Sequence, residues 1–352
     1  MRLIDSVFDV GEMTAGLAHL LDSRTGIANR WSRSSLSEIA RGLHVRNGVV
    51  ADGLTVQDLL LYRERPRSSP IVNAGMTTSD FPSLLAGAVS LTISELYRLP
   101  TTMRTVAARR DRTNFASGLA VRLGRAPLTE IFEGGEVRSE TLLETESTAT
   151  LKTYGNIVII SRRLLINDDQ QAISDAVRGG VESALQVEDT LLFGLLSANS
   201  FAGVTMSDGV ALFHANHANT GTGVISATSL AAGVESLLDQ RDISGGNFLD
   251  NSPRYLVCGP KTVITARAEV AKLGVPNTPT VLAEPRLVDT LNWYLFADPR
   301  RCAALEYGSL RGMAPQVRLA DDGAVDGIAV RLLHDAGAWA QDWRPTYRST
   351  GA

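Results

Sequence analysis

The sequence predicts an α+β chain built as several domains, and three observations carry that expectation. Ile173, Val177, Val181, Leu185, Leu192, Leu195 and Leu196 hold one face of a helix for about seven turns. Just before it, Gly155 to Leu165 (GNIVIISRRLL) has the β-branched richness of a buried strand. Before that, residues 118–153 carry few large apolar side chains and a turn at Glu133-Gly134-Gly135-Glu136, the pattern of a long β-hairpin.

The remaining elements follow in order. Ser35 precedes Leu36, Ile39, Ala40 and Leu43 at helical spacing, with Glu38 placed as in a capping box. Thr55 opens a second short helix through Val56, Leu59 and Leu60. Arg63 to Pro70 (RERPRSSP) is charged, unpatterned and proline-bearing, so it reads as a linker. From Ser79 a helix carries Leu84, Leu85, Ala88, Leu91 and Leu96 to a stop at Pro100, and the basic cluster Arg104, Arg109, Arg110 and Arg112 follows. Asn167, Asp168 and Asp169 supply an N-cap and favourable charge for the long helix, while Gly179 and Gly180 permit a bend or a close neighbour. The Gly-, Asn-, Ser- and Thr-rich stretch 203–223 is loop. Beyond it come a helix from Ser229 to Gln240, a strand Arg254 to Cys258, a helix Lys261 to Leu273, and strands Thr280 to Leu282 and Trp293 to Phe296. The last segment offers Val317 and Leu319, a turn at Asp321-Asp322-Gly323, and a long strand through Ile328, Val330 and Leu332. There is no internal repeat and no low-complexity tract.

With 352 residues, 44% hydrophobic and 20% charged, the chain has the composition of a soluble globular protein large enough for two or three domains. Nothing approaches the ~20 unbroken apolar residues of a membrane span. Asp5, Asp9 and Glu12 in the opening stretch argue against a secretory signal. Cys258 and Cys302 sit in apolar runs and read as buried thiols, not a disulfide framework. A net charge of -4 argues against a protein whose main task is gripping nucleic acid, though not against one that encloses it. Lysine occurs only at Lys152, Lys261 and Lys272, so cationic contacts fall to arginine, whose planar fork suits multidentate contacts between subunits.

Local signatures of catalysis are missing: no Gly-x-Ser-x-Gly elbow, no phosphate-cradling Gly-x-x-x-x-Gly-Lys run and no dinucleotide-binding glycine fingerprint. His214 and His217 have the spacing of a metal pair on a helix, but their Asn- and Gly-rich surroundings disfavour a helix and no third ligand is near. Asp321, Asp322 and Asp326 lack the closing Glu of a calcium loop. Neither a metal nor a cofactor is expected. The tip of the hairpin is acidic, with Glu130, Glu133, Glu136, Glu140, Glu144 and Glu146 against Arg138 alone. Carboxylates on a coreless arm lack the burial that tunes an acid/base pair, so a charged contact surface is the better reading. For Arg104 to Arg112 three readings stay open: DNA, an acidic neighbour, or a solvated helix end.

An N-terminal arm, a long hairpin, a strand leading into a long helix, an α+β lobe and a final long strand follow one another here. That order resembles the HK97-type capsid fold of tailed bacteriophages. Several stretches are similar to the capsid portion of phage prohead-protease/major-capsid fusion proteins: Thr78-Ser-Asp-Phe-Pro-Ser-Leu-Leu-Ala, Glu133-Gly-Gly-Glu, Thr153-Tyr-Gly, Ser161-Arg-Arg-Leu-Leu-Ile-Asn-Asp-Asp, Ser207-Asp-Gly-Val-Ala-Leu-Phe-His and Pro253-Arg-Tyr-Leu-Val. The resemblance runs from Gly75 to Tyr347. It implies an N-terminal helical region and linker (1–75), an N-arm (76–117) and an E-loop hairpin (118–153) laid across an adjacent subunit. It further implies a P-domain (154–202, spine helix 168–199), an A-domain (203–315) that meets its copies around capsomer axes, and the P-domain's C-terminal strand (316–352).

The function so implied is a non-enzymatic major capsid protein, self-assembled as pentamers and hexamers into an icosahedral shell around double-stranded DNA. It would be assembled in the bacterial cytoplasm and located in the virion. The implied partners are a portal, a scaffold or separate maturation protease, decoration proteins, and packaged DNA contacted non-specifically, with no membrane. An encapsulin-like compartment for protein cargo is the alternative within shells, and a soluble hydrolase the rival from another class. Some family members cross-link a hairpin lysine to an asparagine, but the hairpin tip here has no lysine and Lys152 lies at its base. The expected intersubunit contacts are therefore electrostatic: Glu130, Glu133, Glu136, Glu140 and Glu144 with Arg104, Arg109, Arg110 and Arg112.

Overall fold

The longest apolar stripe in the sequence becomes the longest element. In a computed structural model, which describes residues 10–21, 28–34, 38–39, 42, 80–123, 144–161, 170–243, 245–274, 278–288, 290–320 and 327–352, the helices are α1 (Val10–Leu21), α2 (Asp80–Leu96), α3 (Thr102–Val106), α4 (Gln170–Phe201), α5 (Ala227–Leu238) and α6 (Val263–Lys272). The strands are β1 (Ala108–Arg109), β2 (Gly118–Leu123), β3 (Glu144–Ala149), β4 (Lys152–Ser161), β5 (Thr220–Gly221), β6 (Pro253–Cys258) and β7 (Thr280–Ala283). They continue with β8 (Trp293–Ala297), β9 (Leu305–Ser309), β10 (Gln316–Ala320), β11 (Gly327–Ala340) and β12 (Thr346–Ser349). Helices and sheets are mixed along the chain, and the order hairpin, strand, long helix, α+β lobe, long strand is the one the HK97-like resemblance implies. The expected turn at Glu133–Glu136, the linker 63–70, the helix from Thr55, the N-caps at Ser79 and Asn167–Asp169 and the Asp321–Gly323 turn lie outside the described residues. Of the helix expected from Ser35, only Glu38, Ile39 and Gly42 are described, each in helical conformation.

Chain contacts divide into two units. The first comprises residues 1–99, 153–186 and 313–335. In it α1 packs on α2, burying Met13, Leu17 and Ala18 with Ala88, Val89, Ile93 and Leu96. The sequence did not announce α1, because Gly11, Thr14 and Gly16 interrupt its apolar spacing. Asn29 closes the next turn: its side chain accepts from the Trp31 amide at 2.9 Å and donates to the Glu12 carbonyl at 2.7 Å. β10 pairs antiparallel with β11, Val317 opposite Leu332 and Leu319 opposite Val330, and β4 also pairs with β11. Thr153 donates to Asp335 at 2.6 Å, and Tyr97 meets His334 edge-on at 5.4 Å. Gly180 of α4 faces Leu332, where an added Cβ would sit 3.3 Å from a leucine methyl. Gly180 thus meets a close neighbour, whereas a Cβ at Gly179 would meet nothing within 4 Å.

The second unit comprises residues 100–152, 187–312 and 336–352. Its main sheet has the order β5-β12-β8-β6-β7, in which β8 is antiparallel to both β12 and β6 while β5 and β7 are parallel additions. β8 (WYLFA) is buried along its whole length, because helices and loops cover both faces of the sheet. Toward one face lie Ile225, Leu230, Leu237, Ala266 and Val270 with Trp293 and Leu295; toward the other lie Leu192, Leu196, Leu212, Phe213 and Leu305 with Tyr294 and Phe296. α5 starts two residues before the expected position, since Ser226 and Ser229 form a reciprocal capping box. In the same unit β9 lies between β1, parallel, and Ala336–Ala340 of β11, antiparallel. A Cβ at Gly308 would fall on the Arg110 carbonyl, so only glycine lets β1 approach β9 this closely. The hairpin strands pair from Gly118 opposite Ala149 to Leu123 opposite Glu144.

α4 stops being helical where its last turn meets Ala198, and Asn199, Ser200 and Phe201 then take positive φ of 50°, 57° and 67°. Three consecutive left-handed non-glycine residues are costly. The turn is held by the Asn199 side chain donating to the Gly203 carbonyl at 2.8 Å and by the Gly203 amide returning to Ala198. Neither of these bonds uses the Ser200 side chain, so glycine at that position removes a Cβ penalty and keeps both. Ser200→Gly is expected to stabilise the second unit by about 1 kcal/mol in a urea titration; an unchanged or lowered midpoint would show that the left-handed turn carries no strain.

Candidate functional site

Of the nine expected contact residues, Glu130, Glu133, Glu136 and Glu140 lie outside the described residues. Glu144 begins β3, its backbone opposite Leu123. The base of that hairpin is fixed by a small cluster, Ala120 and Ala149 against Trp339 of β11. Gln341 adds two bonds, donating to the Ala120 carbonyl at 3.2 Å and accepting from the Ser147 hydroxyl at 2.9 Å. Trp339 in turn donates its indole N–H to Glu306 at 2.9 Å.

The four arginines separate into two kinds, and this corrects their expected grouping as one surface. Arg104, on α3, is an interior residue: its side chain is 7% exposed and its Nε lies 3.2 Å from Glu188 of α4, itself 1% exposed. Its guanidinium also covers the Tyr307 ring, with Nε 3.3 Å from the phenol oxygen. Arg104 therefore holds the long helix to β9, and an intersubunit role for it is withdrawn. The segment 108–112 instead runs beside β9, the Arg110 amide donating to Tyr307 and the Arg112 amide to Ser309. Arg109 reaches Asp111, Ser309 and the Gly312 carbonyl, and Arg110 pairs with Glu306 at 3.2 Å while staying 56% exposed. Arg112 lies over Gly118, where a Cβ would meet its guanidinium.

Arg109 and Arg110 open into a cleft of about 670 Å³ whose far wall is the turn Asp298–Ala303, with Tyr255 and Gln341 also lining it. That turn brings Arg300 and Arg301, and Arg301 bonds Asp250 at 2.9 Å with both side chains exposed. Sequence reasoning did not place these two arginines with the first cluster. They lie almost two hundred positions away, and their only local signal is the Asp-Pro-Arg-Arg turn.

A second polar network joins α4 to the sheet ends. Asp189 accepts from the Thr101 hydroxyl and lies 3.5 Å from Arg286, which is clamped by Glu284 at 2.6 Å. Burial raises the Asp189 carboxyl above its ordinary value, against the Thr101 hydrogen bond and the Arg286 charge. This is a structural joint; all of its groups are engaged with one another.

His214 and His217 do not form a metal pair in this structure. His217 is buried in a 3₁₀ turn (Ala215–His217) and stacked on Trp343 at 4.3 Å. Its ring nitrogens face the Leu212 carbonyl at 3.1 Å and Asp208 at 2.6 Å, so a metal would have to displace two hydrogen bonds. For Asp208, burial pushes the carboxyl up, but the hydrogen bonds from His217 and the Val210 amide outweigh it and leave the group below 3.8. A folded value below the unfolded one gives stability that is complete above the unfolded value and lost as pH falls through the folded one. Acid unfolding followed by tryptophan fluorescence should contain a component below about pH 4 that Asp208→Asn removes; an identical acid profile for the variant would refute it.

Residues 144–349 match the family described as phage capsid protein. No curated protein matches the sequence. Among solved structures, a chain of Mycobacterium phage Che8 is similar at 12% identity and a TM-score of 0.42, covering 72% of this chain and 92% of that one. The capsid of Myoviridae phage XM1 is similar at 14% identity and a TM-score of 0.43, with 73% and 95% covered. The holo-SrpI encapsulin complex of Synechococcus elongatus is similar at 9% identity and a TM-score of 0.46, with 73% and 93% covered.

Proposed function

The chain belongs to the phage capsid protein family, and from that premise we propose that its copies assemble, as rings of five and six, into an icosahedral shell around double-stranded DNA. The role is structural, with no catalytic step. The observation that carries it is the hairpin: an arm anchored by two alanines and one tryptophan, with an acidic charge of its own and little apolar surface. By its sequence the tip of such an arm offers little with which to build a core of its own, and it is useful when a neighbouring copy covers it. Packaged DNA is contacted without sequence preference, in keeping with a net charge of -4. A portal, a scaffold or separate maturation protease, and decoration proteins complete the particle, which is assembled in the bacterial cytoplasm and ends as the virion shell.

The test is negative-stain electron microscopy of the full chain purified by size exclusion at modest salt, with nuclease-resistant nucleic acid measured on the same fractions. Uniform shells or rings support the reading, and DNA in the shells separates a virion from a protein-cargo compartment. A monomer or small dimer at every concentration, with scaffold-bearing lysate present or absent, would sink it.

A further inference from the structure

We propose that the cleft between segment 109–110 and the turn Asp298–Ala303 is a binding site for phosphate-class anions, with Arg110, Arg300 and Arg301 as the receiving groups and a compact phosphoanion such as pyrophosphate as the ligand. All of its lining residues belong to the second unit of one chain, so the site stands independently of the shell reading. Of the five arginines that line it, two are engaged within the chain. Arg104 is held by Glu188 and Tyr307, and Arg109 by Asp111, Ser309 and the Gly312 carbonyl. The other three are exposed. Among the described residues the Arg110 side chain pairs with Glu306 alone, and the Arg301 side chain with Asp250 alone. Arg300 uses its backbone amide, which donates to Asp298 at 2.9 Å, while its guanidinium has no ion-pair partner among the described residues. A guanidinium carries more N–H donors than a bidentate pair with one carboxylate consumes, so all three arginines keep donors for a guest.

Net charge alone does not select an anion here. Asp298 and Glu306 also line the cleft, and Glu188, Asp111 and Asp250 offset Arg104, Arg109 and Arg301 from outside it. The asymmetry lies in hydrogen bonding. Both lining carboxylates already accept from the protein: Asp298 from the Arg300 amide, and Glu306 from the Trp339 indole at 2.9 Å while it pairs with Arg110 at 3.2 Å. Open donors beside satisfied acceptors suit a guest that only accepts. An ionised phosphoanion is such a guest, and the planar guanidinium fork binds its oxygens two at a time. The cleft volume of about 670 Å³ falls within the range of small-molecule sites, about 300–1,000 Å³. Arginines stand on both walls, Arg110 on one and Arg300 and Arg301 on the other, so two linked phosphates reach both walls more readily than one. A DNA duplex presents a charge about every 1.7 Å and calls for a continuous basic swath, which a single cleft does not supply. Its backbone is nonetheless a second source of the same phosphate chemistry, and the test separates the two.

The test is isothermal titration calorimetry of the full chain with pyrophosphate, ionic strength held constant with chloride, beside the double variant Arg300→Ala with Arg301→Ala. Saturable binding is expected for the native chain, weakened about tenfold or more in the variant, the size of one or more lost charge-assisted hydrogen bonds. Both side chains are exposed, and thermal unfolding without pyrophosphate should coincide for the two proteins. A second variant, Arg300→Lys with Arg301→Lys, keeps the charge and removes the fork; its affinity should fall between the other two. Absence of saturable binding to the native chain, or equal binding by the alanine variant, overturns the proposal. A lysine variant that binds as tightly as the native chain overturns it in favour of diffuse attraction. A short DNA duplex is then added as competitor. Displacement of pyrophosphate that the alanine variant does not show supports the phosphate site with the nucleic-acid backbone as its source, and retention of pyrophosphate supports it with a free phosphoanion as the source. Electron microscopy of the same proteins reads shell formation separately, so the failure of one reading leaves the other standing.

Discussion

Arg104→Ala is expected to cost about 3–5 kcal/mol, because it leaves Glu188 charged and buried without that guanidinium. The pair lies where α3, α4 and β9 meet, with the Tyr307 ring beneath the guanidinium, so packing is lost along with charge. Urea unfolding of the full chain in its unassembled form reads the loss as a lower midpoint. The double variant Arg104→Leu with Glu188→Leu should recover most of it, since two apolar groups of similar volume avoid the desolvation that the ion pair suffers. A single-variant cost under about 1 kcal/mol, the size typical of an exposed pair, would show that the site is wetter than its 7% and 1% exposures indicate.

Trp339→Ala is expected to cost a comparable amount, about 3–5 kcal/mol for a fully packed indole, and its effect should concentrate on the hairpin. Trp339 is the one large side chain in the cluster with Ala120 and Ala149, and its N–H satisfies Glu306. Hydrogen exchange should report faster amides across Gly118–Leu123 and Glu144–Ala149, and limited proteolysis a new cut in that arm. Trp339→Phe, which keeps a ring and drops the hydrogen bond, should cost about 1–3 kcal/mol. Unchanged hairpin protection in Trp339→Ala would place the anchor elsewhere, with Gln341 as the remaining tie.

Elements with a sustained period were legible in the sequence. The long helix, α6, β6 and β8 lie within a few residues of where spacing put them, because apolar residues recur along a face, whereas the hairpin strands were placed by a weak alternation and a scarcity of large apolar side chains. Four strands were not legible, for two different reasons. β1 and β5 are two residues long and exist only through their parallel partners, β9 and β12. β9 (LEYGS) and β12 (TYRS) have no alternation: β9 is buried throughout with a glutamate inside it, tolerable because Glu306 meets Trp339 and Arg110. The site was half legible. Charge marked Arg104 to Arg112 as a group, but only the position of Glu188 decides that the first of them turns inward. The union of Arg109 and Arg110 with Arg300 and Arg301 is made by tertiary structure and leaves no trace in spacing.

The place of β12 has a consequence for how the chain is made. Thr346–Ser349 sits inside the main sheet, between β5 at 220–221 and β8 at 293–297. A ribosome adding about 5–20 residues per second needs on the order of ten seconds to go from residue 221 to residue 349. Late in that interval β8 has emerged with one edge open. On a polysome several nascent chains hold such edges near one another, each a template for the wrong strand. Yield of soluble chain is then a race between translation and mispairing. Slow codons between residues 298 and 345 should favour aggregates, and lower expression temperature should help only as far as it slows association more than synthesis.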